Sequence, residues 1–432
     1  MDQESPKSHF STKLIFILFG VASLLGWNAL LTELKFFNNF LSDMKPYVSF
    51  SFLNYILNIL FLFLMMWKKN LFSLKFQLIG GIIGSIIFLI LIPTCTILLN
   101  KNSLINQIIT GSLIVLMGFI NALCSGGFFN FVSYFPLEMI VALSTGQGFS
   151  GIAMNILQYI VLVSVTVVDD DKKYTIQAWI FFAISSLILL LCLIILLISF
   201  NSKYFQYYLN KANNQIKDDA TSGLIIGEEG NDEFSDKTPT PNPGGEQKEV
   251  SFKELFKKLW DLNLIITYIY IVTFALFPNA SINQKMFGLE GDYSTNTVIL
   301  VYNVFDTIGR YLVAKVKPTK KLNLIVNLGR TILLFTLVFN YYCQQEIKGP
   351  GWNINVTSIL LIINVGLLAV TNGIGTTLCF GLAPNQVEDE YKGQAGTSLS
   401  FFLIVGIFLG SCCAFGTDAI IATFLDPQKN QQ

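Results

Sequence analysis

The chain has 432 residues, of which 53% are hydrophobic and 13% charged, and its formal net charge is zero. A soluble protein carries about twice that share of charged residues, so the composition excludes an ordinary soluble protein, and a zero net charge favours no nucleic-acid partner. The single histidine, His9, lies close to the N-terminus, which excludes a histidine-based metal site or catalytic triad.

Runs of about 20 apolar residues, the length that crosses a bilayer as a helix, recur along the chain. A lipid-exposed segment must satisfy its own backbone hydrogen bonds, so each run is expected to be a helix. The fold class that we predict is an all-α polytopic membrane protein that contacts the lipid bilayer. Its eleven transmembrane helices are predicted over residues 14–34, 46–67, 76–98, 106–134, 144–168, 176–200, 261–280, 296–316, 322–343, 355–380 and 395–424.

A polar stretch separates the sixth apolar run from the seventh. Residues 201–250 are rich in proline, glycine and charged side chains and cannot bury enough apolar surface to fold. We therefore predict an N-terminal six-helix bundle over 1–200, a cytoplasmic linker over 201–260 and a C-terminal five-helix bundle over 261–432. The end of the linker, 252–260, is either an amphipathic interfacial helix or an extension of the seventh span.

The distribution of lysine predicts the orientation. Lys68, Lys69 and Lys75 lie between the second and third spans, and four more lysines lie between the eighth and ninth. Cation-rich short loops face the cytoplasm, so the N-terminus is predicted to be cytoplasmic and the C-terminus extracellular. We expect a multi-pass protein of the plasma membrane that acts as a monomer.

The eighth predicted span contains both a carboxylate and a guanidinium. Asp306 and Arg310 are spaced i, i+4, and Asn303 precedes Asp306 by three residues, so a helix places the three side chains on one face. Charges at membrane depth are costly and usually face a bundle interior or a water-filled cavity, and a pair costs less than a lone charge. The pattern indicates a polar-solute site at mid-membrane. The alternative is an ion pair that only joins two helices.

Several other polar side chains occur inside apolar runs. Buried amides and hydroxyls often do no more than cross-link helices, at about 0.6 kcal/mol each. Together with an intramembrane carboxylate and guanidinium, however, they indicate a lined cavity. They are Trp27-Asn28 in the first span, Ser125 in the fourth, Gln147 in the fifth, Arg330 in the ninth and Thr371-Asn372 in the tenth.

These motifs resemble those of the equilibrative nucleoside transporter family. The resemblance covers nearly the whole chain, including the eleven spans and the central loop. Its most specific element is Asn-x-x-Asp-x-x-x-Arg inside a span, combined with Trp-Asn in the first span. The motifs are Leu24-Leu25-Gly26-Trp27-Asn28, Ser144-Thr145-Gly146-Gln147-Gly148, Tyr302-Asn303 through Gly309-Arg310, Thr371-Asn372-Gly373, and Gln394-Ala395-Gly396 followed by Phe401-Phe402.

The resemblance implies a fold like that of the major facilitators with one helix fewer, in which six helices rock against five. It implies passive transport of nucleosides. The sequence has no redox, hydrolytic or metal motif, so no cofactor and no enzymatic activity are expected. Asp306 and Arg310 would hydrogen-bond the ribose hydroxyls and Trp27 would pack on the ligand. The implied apolar walls are Leu24, Leu31, Phe277 and Ile407.

The sequence departs from the family pattern in two places. Gly26 replaces a proline that many members carry before Trp-Asn. Ser125 stands where familiar members have a glutamine that contacts the base. Serine is shorter and lacks the paired donor and acceptor of an amide, so the choice among purine, pyrimidine and free nucleobase stays open. Two other functions remain open at this point, a proton-coupled nucleoside or nucleobase symporter and a membrane receptor.

Overall fold

The computed structural model describes residues 10–68, 71–164, 170–209, 252–277, 281, 284, 286–289, 291–315, 319–344 and 351–420. These residues are nearly all helical, and eleven of their helices are long and apolar enough to span a membrane. The predicted all-α fold with eleven spans is confirmed. The spans are α1 (Phe10–Thr32), α2 (Pro46–Trp67), α3 (Phe76–Leu98), α4 (Leu104–Val132), α5 (Leu137–Ser164), α6 (Asp170–Ser199), α7 (Phe252–Leu276), α8 (Gly291–Leu312), α9 (Lys320–Gly329 and Ile332–Gln344), α10 (Ile354–Leu382) and α11 (Lys392–Ile420).

The starts of helices α5 and α7 differ most from those that the hydropathy pattern indicates. Helix α5 starts at Leu137, because the apolar residues after Pro136 continue directly into the helix. Helix α7 starts at Phe252 and runs unbroken to Leu276, so the amphipathic segment is an extension of the seventh span. Residues 210–251 of the predicted linker lie outside the described residues.

Close helix pairs organise each half of the chain. In the N-terminal half α1 packs along α5, α2 along α4, and α3 against α4 and α6; in the C-terminal half α7 packs along α11, and α8 and α9 pack against α10. Glycine permits the α1–α5 approach, since a β-carbon on Gly20 would lie 2.0 Å from the carbonyl oxygen of Leu143. Small residues at such contacts let two backbones approach closely in lipid.

The two halves meet along α5 with α8, and along α11 with α2 and α4. At the predicted cytoplasmic end a closed seam joins α4 to α10 and α11. Phe129 stacks on Phe380 with ring centroids 3.5 Å apart and planes 11° apart. Gly396 packs so tightly beside them that a β-carbon there would lie 2.4 Å from the carbonyl oxygen of Phe129. The end of the bundle bearing these contacts is closed.

Helix α9 is interrupted near its middle. The first segment ends at Gly329, and the second begins at Ile332, with Arg330 and Thr331 in a turn between them. The Arg330 side chain is 1% exposed and is the largest of the fully buried side chains in the described part of the chain. Breaks of this kind bring polar groups to the middle of a membrane, where transporters commonly form their binding sites.

Candidate functional site

An ion pair on α8 forms the centre of the candidate site. Arg310 Nε donates to Asp306 Oδ2 at 2.7 Å, and the two side chains are only 6% and 7% exposed. The i, i+4 spacing brings the groups together on one helix, as the sequence predicts. Removing either partner would leave an uncompensated buried charge, which typically costs about 3–5 kcal/mol.

Arg310 also connects α8 to the N-terminal half. Its Nη1 donates to Gln147 Oε1 at 3.0 Å and to the carbonyl oxygen of Ser144 at 3.2 Å, both on α5. Gln147 Nε2 in turn donates to Ser23 Oγ on α1 at 3.1 Å. A single guanidinium therefore holds α8 to α5, and through Gln147 to α1.

Asp306 faces the C-terminal half. Asn372 Nδ2 on α10 donates to Asp306 Oδ1 at 2.8 Å, so the two carboxylate oxygens have different partners. Thr273 Oγ1 on α7 lies 2.9 Å from Asn372 Oδ1, and Arg330 Nη2 donates to the Thr273 hydroxyl. A chain of hydrogen bonds thus links the carboxylate to a second buried arginine on α9.

Glycines allow the helices to approach closely enough for these bonds. A β-carbon on Gly373 would lie 2.1 Å from the carbonyl oxygen of Asp306, and one on Gly309 would lie 2.3 Å from that of Val370. On the other side of α8, a β-carbon on Gly148 would lie 2.3 Å from Thr307 Oγ1. The glycines that flank Gln147 and Asn372 are therefore packing positions that bring both amides to the charge pair.

Asn303 contacts α5 rather than α10. Its Nδ2 donates to Asn155 Oδ1 at 2.5 Å, and its amide packs on Gly151. Arg310 shares that α5-facing side, whereas Asp306 turns towards α10. The three polar groups predicted for one face thus occupy two adjoining faces, because residues three apart on a helix are still about 60° from alignment.

Three predicted site residues share one face of α1. Leu24, Trp27 and Leu31 are each partly exposed, as residues bordering an open space would be. The ring of Trp27 lies 6.4 Å from that of Tyr55 on α2, tilted by 55°. The structure therefore leaves part of the indole surface uncovered.

The other predicted apolar walls are packed into the protein. Phe277 stacks on Tyr302 with centroids 4.1 Å apart and planes 13° apart, inside the core of the C-terminal half. Ile407 is buried in the core cluster that extends into the N-terminal half. Ser125 is partly exposed, and its hydroxyl donates to the carbonyl oxygen of Asn121 in its own helix at 2.8 Å.

Sequence reasoning left several contributors out of the site. Asn372 and Arg330 are predicted to line the cavity, but nothing in the sequence connects them to the charge pair, and Thr273 and Ser23 give no signal at all. An isolated hydroxyl in an apolar helix gives no periodic signal, because it usually bonds its own helix at i−4, as Thr273 also does to Ile269 at 2.8 Å. Only the packing of α7 against α10 shows what else Thr273 reaches.

A lateral groove elsewhere in the molecule has the wrong character for a polar solute. It has a volume of about 440 Å³, lies between α3 and α6, and is lined by apolar chains such as Ile86 and Trp179, with Ser186 as its hydroxyl-bearing member. Polar solutes need several convergent hydrogen-bonding groups. The cluster around Asp306 and Arg310 supplies them and the groove does not.

Sequence comparisons identify relatives along nearly the whole chain. The family model described as nucleoside transporter matches residues 112–419. Equilibrative nucleotide transporter 3 of Arabidopsis thaliana is 25% identical, with 94% of each chain covered. Equilibrative nucleoside transporter 1 of Rattus norvegicus is 23% identical, with 94% of this chain and 97% of the relative covered.

Solved structures with a similar fold are transporters of the major facilitator superfamily. The proton:xylose symporter bound to 6-bromo-6-deoxy-D-glucose superimposes with a TM-score of 0.64 at 15% identity, covering 95% of this chain and 90% of that one. A D-xylose–proton symporter gives a TM-score of 0.65 at 14% identity, covering 96% and 92%. At these identities the likeness concerns the fold. It agrees with the predicted arrangement of a major facilitator.

Proposed function

The chain belongs to the nucleoside transporter family, and we propose that it moves nucleosides across the membrane by facilitated diffusion, with the buried Asp306–Arg310 pair as the ribose-binding element. The family and the fold together support a transporter and no enzymatic activity. The pair lies where α5, α8 and α10 meet, so both halves of the chain contact it.

The observation that carries the proposal is that a hydrogen-bond acceptor and a set of donors lie side by side in the buried pair. Asp306 offers carboxylate oxygens that accept hydrogen bonds, and Arg310 offers a planar set of N–H donors. Vicinal ribose hydroxyls both donate and accept, so they match a carboxylate and a guanidinium held side by side.

Trp27 is proposed to stack on the base. Its indole is partly exposed, and it lies on the same face of α1 as Leu24 and Leu31, which are each about one turn away in opposite directions. Aromatic stacking tolerates any base because every base has a π-face, and it contributes about 1–3 kcal/mol. Without a ligand, Arg310 Nη1 donates a hydrogen bond to Gln147 Oε1. We propose that this bond breaks when Arg310 binds the substrate.

Alternating access would proceed by opening the closed seam at the predicted cytoplasmic end. The described contacts of the seam include the stacking of Phe129 on Phe380 and the close packing of Gly396 against the Phe129 carbonyl oxygen, which must separate when this end opens. Rigid-body rocking of two halves about a midplane site is the usual mechanism in such folds.

The placement of the protein in the cell is likewise a proposal. The chain is an integral multi-pass membrane protein. We place it in the plasma membrane as a monomer, with the N-terminus cytoplasmic and the C-terminus extracellular. The lysine-rich loops after the second and eighth spans support that orientation.

Uptake by purified protein in sealed proteoliposomes tests the proposal. A panel of purine and pyrimidine nucleosides, their 2′- and 3′-deoxy analogues, and free nucleobases identifies the substrate class. Wild type should favour ribonucleosides, because a site built to bond a hydroxyl rejects the analogue lacking it. Asp306→Asn should lose that preference by at least about tenfold, the effect of about 1.4 kcal/mol.

Asp261→Asn is the matched control. It makes the same chemical change in an ion pair with Lys320, at 2.5 Å and much more exposed, away from the site. Its ribose preference should equal that of wild type. A wild type indifferent to the ribose hydroxyls would reduce Asp306–Arg310 to a clamp between helices, and accumulation driven by an imposed pH gradient would contradict facilitated diffusion.

A further inference from the structure

Arg330 is a second buried guanidinium, and its own hydrogen bonds are incomplete. Its side chain is 1% exposed. Nη2 donates to Thr273 Oγ1 and, at 3.4 Å, to the carbonyl oxygen of Leu368. Nε and Nη1 are buried and have no hydrogen-bond partner in the described part of the chain. A buried cation with no carboxylate directly against it is costly, so its presence requires a reason.

The net charge of the buried cluster supplies a reason for the second cation. The buried cluster holds one acidic side chain, Asp306, and two basic ones, Arg310 and Arg330, which is a formal excess of one positive charge. When Arg310 turns to a neutral nucleoside, Asp306 loses part of its direct counter-charge. A second cation nearby then keeps the carboxylate from standing uncompensated in a medium of low dielectric constant.

The hydrogen-bond chain between the two groups has one consistent direction. Arg330 donates to Thr273, Thr273 can donate to Asn372 Oδ1, and Asn372 Nδ2 donates to Asp306 Oδ1. The Thr273 hydroxyl has one proton and two acceptors within reach, Ile269 O at 2.8 Å and Asn372 Oδ1 at 2.9 Å. Donation from the guanidinium polarises the hydroxyl and favours the branch that ends on the carboxylate.

We propose that Arg330 is a positioning residue that holds Asp306 through Thr273 and Asn372 and serves as its standing counter-charge while Arg310 binds the substrate. This relay joins α9, α7, α10 and α8. It rests on the proposed function for its effect on transport, but the electrostatic link itself exists without any substrate. The interruption of α9 at Gly329 places Arg330 at the depth where the relay begins.

The link is measured first without ligand, by a thermal-unfolding cycle on purified protein. The variants are Arg330→Met, Asp306→Asn and the double change. Asp306→Asn leaves the two buried cations without a carboxylate. Adding Arg330→Met to the Asp306→Asn variant should therefore change the Tm more favourably than Arg330→Met does in wild type. The two Tm shifts should differ by about 2–5 °C, as expected for residues that belong to one hydrogen-bond network.

Transport provides the second reading, through a change that leaves every charge in place. Thr273→Val removes the hydroxyl of the relay at nearly constant volume, whereas Thr273→Ser keeps it. Thr273→Val should reduce the preference for ribonucleosides over 3′-deoxynucleosides by about two- to thirtyfold, the range for indirect coupling. Thr273→Ser should restore most of it.

Thr336→Val is the matched control. Thr336 Oγ1 donates to Asn364 Oδ1 at 2.7 Å, a threonine–asparagine bond between α9 and α10 that is not connected to the charge pair. Its ribose preference should not change. Additive Tm shifts in the cycle, or a preference altered equally by Thr273→Val and Thr336→Val, overturn the relay. If wild type shows no ribose preference, the proposed function fails while the unfolding cycle still decides the relay.

Discussion

The stacked pair Phe129–Phe380 offers a direct test of how the two halves move. Both rings are about 2% exposed, and they belong to opposite halves of the chain, on α4 and α10. Phe380→Leu keeps the position apolar and removes the ring–ring interaction. Because the pair exists only while the predicted cytoplasmic end is closed, the change should destabilise that state selectively.

The size of the effect follows from the geometry. An aromatic pair in contact contributes about 0.5–1.5 kcal/mol beyond the apolar area that it buries. With RT near 0.59 kcal/mol, losing that term multiplies the ratio of open to closed molecules by about 2- to 13-fold. A ligand must supply about 5.5 kcal/mol to invert such an equilibrium completely, so the variant should shift the populations without abolishing either state.

Distances between spin labels measure the two populations. Labels on Ser73 and Asn385 are suitable, because both side chains are exposed and lie in opposite halves at the predicted cytoplasmic end, before α3 and in the short 3-10 helix after α10. The label positions require a background in which the seven native cysteines have been replaced. Phe380→Leu should increase the long-distance population in liposomes without substrate.

Phe131→Leu distinguishes state selection from general loosening. Phe131 is fully buried and stacks on Phe205 at 5.8 Å with planes 6° apart. Phe205 belongs to the predicted linker, but its ring is buried and packs on Phe16 of α1, so both rings lie within the N-terminal half. Phe131→Leu should lower the Tm and leave the distance distribution unchanged. The reasoning about the seam is refuted if Phe380→Leu shifts the distribution no more than Phe131→Leu does.

Two further predictions concern the substrate and the topology. Trp27→Ala should raise the KM for nucleosides by about 5- to 150-fold, from the loss of about 1–3 kcal/mol of stacking. Trp179→Ala and Trp352→Ala should leave the KM unchanged, because these residues are 41% and 42% exposed on the outside of the bundle. Equal effects of all three changes at matched protein levels would make Trp27 structural. Tags fused at Met1 and after Gln432 should differ in protease protection in sealed cells, because eleven spans separate them, and equal protection would contradict the orientation.

The sequence by itself determined the class of the fold and pointed to the charge pair at the centre of the candidate site. Apolar runs of bilayer length can only be helices, because lipid offers the backbone no other hydrogen-bond partner, and eleven of them were counted correctly. Asp306 and Arg310 were assignable because their cost at membrane depth and their i, i+4 spacing are local properties. The sequence allows two interpretations of the amphipathic segment at Phe252, and the continuous helix Phe252–Leu276 selects the extension of the seventh span.

The tertiary structure decided which groups complete that site. Thr273, Asn372 and Arg330 lie on three different helices, and nothing in their sequence spacing connects them. Their relation depends on close helix crossings such as the contact of Gly373 with Asp306, which are set by the packing of whole surfaces. The same packing places the Asn303 amide in a hydrogen bond with α5 and stacks Phe277 on Tyr302. Which distant side chains come into contact depends on how whole helix surfaces pack. The sequence pattern shows only which side chains are present on each surface.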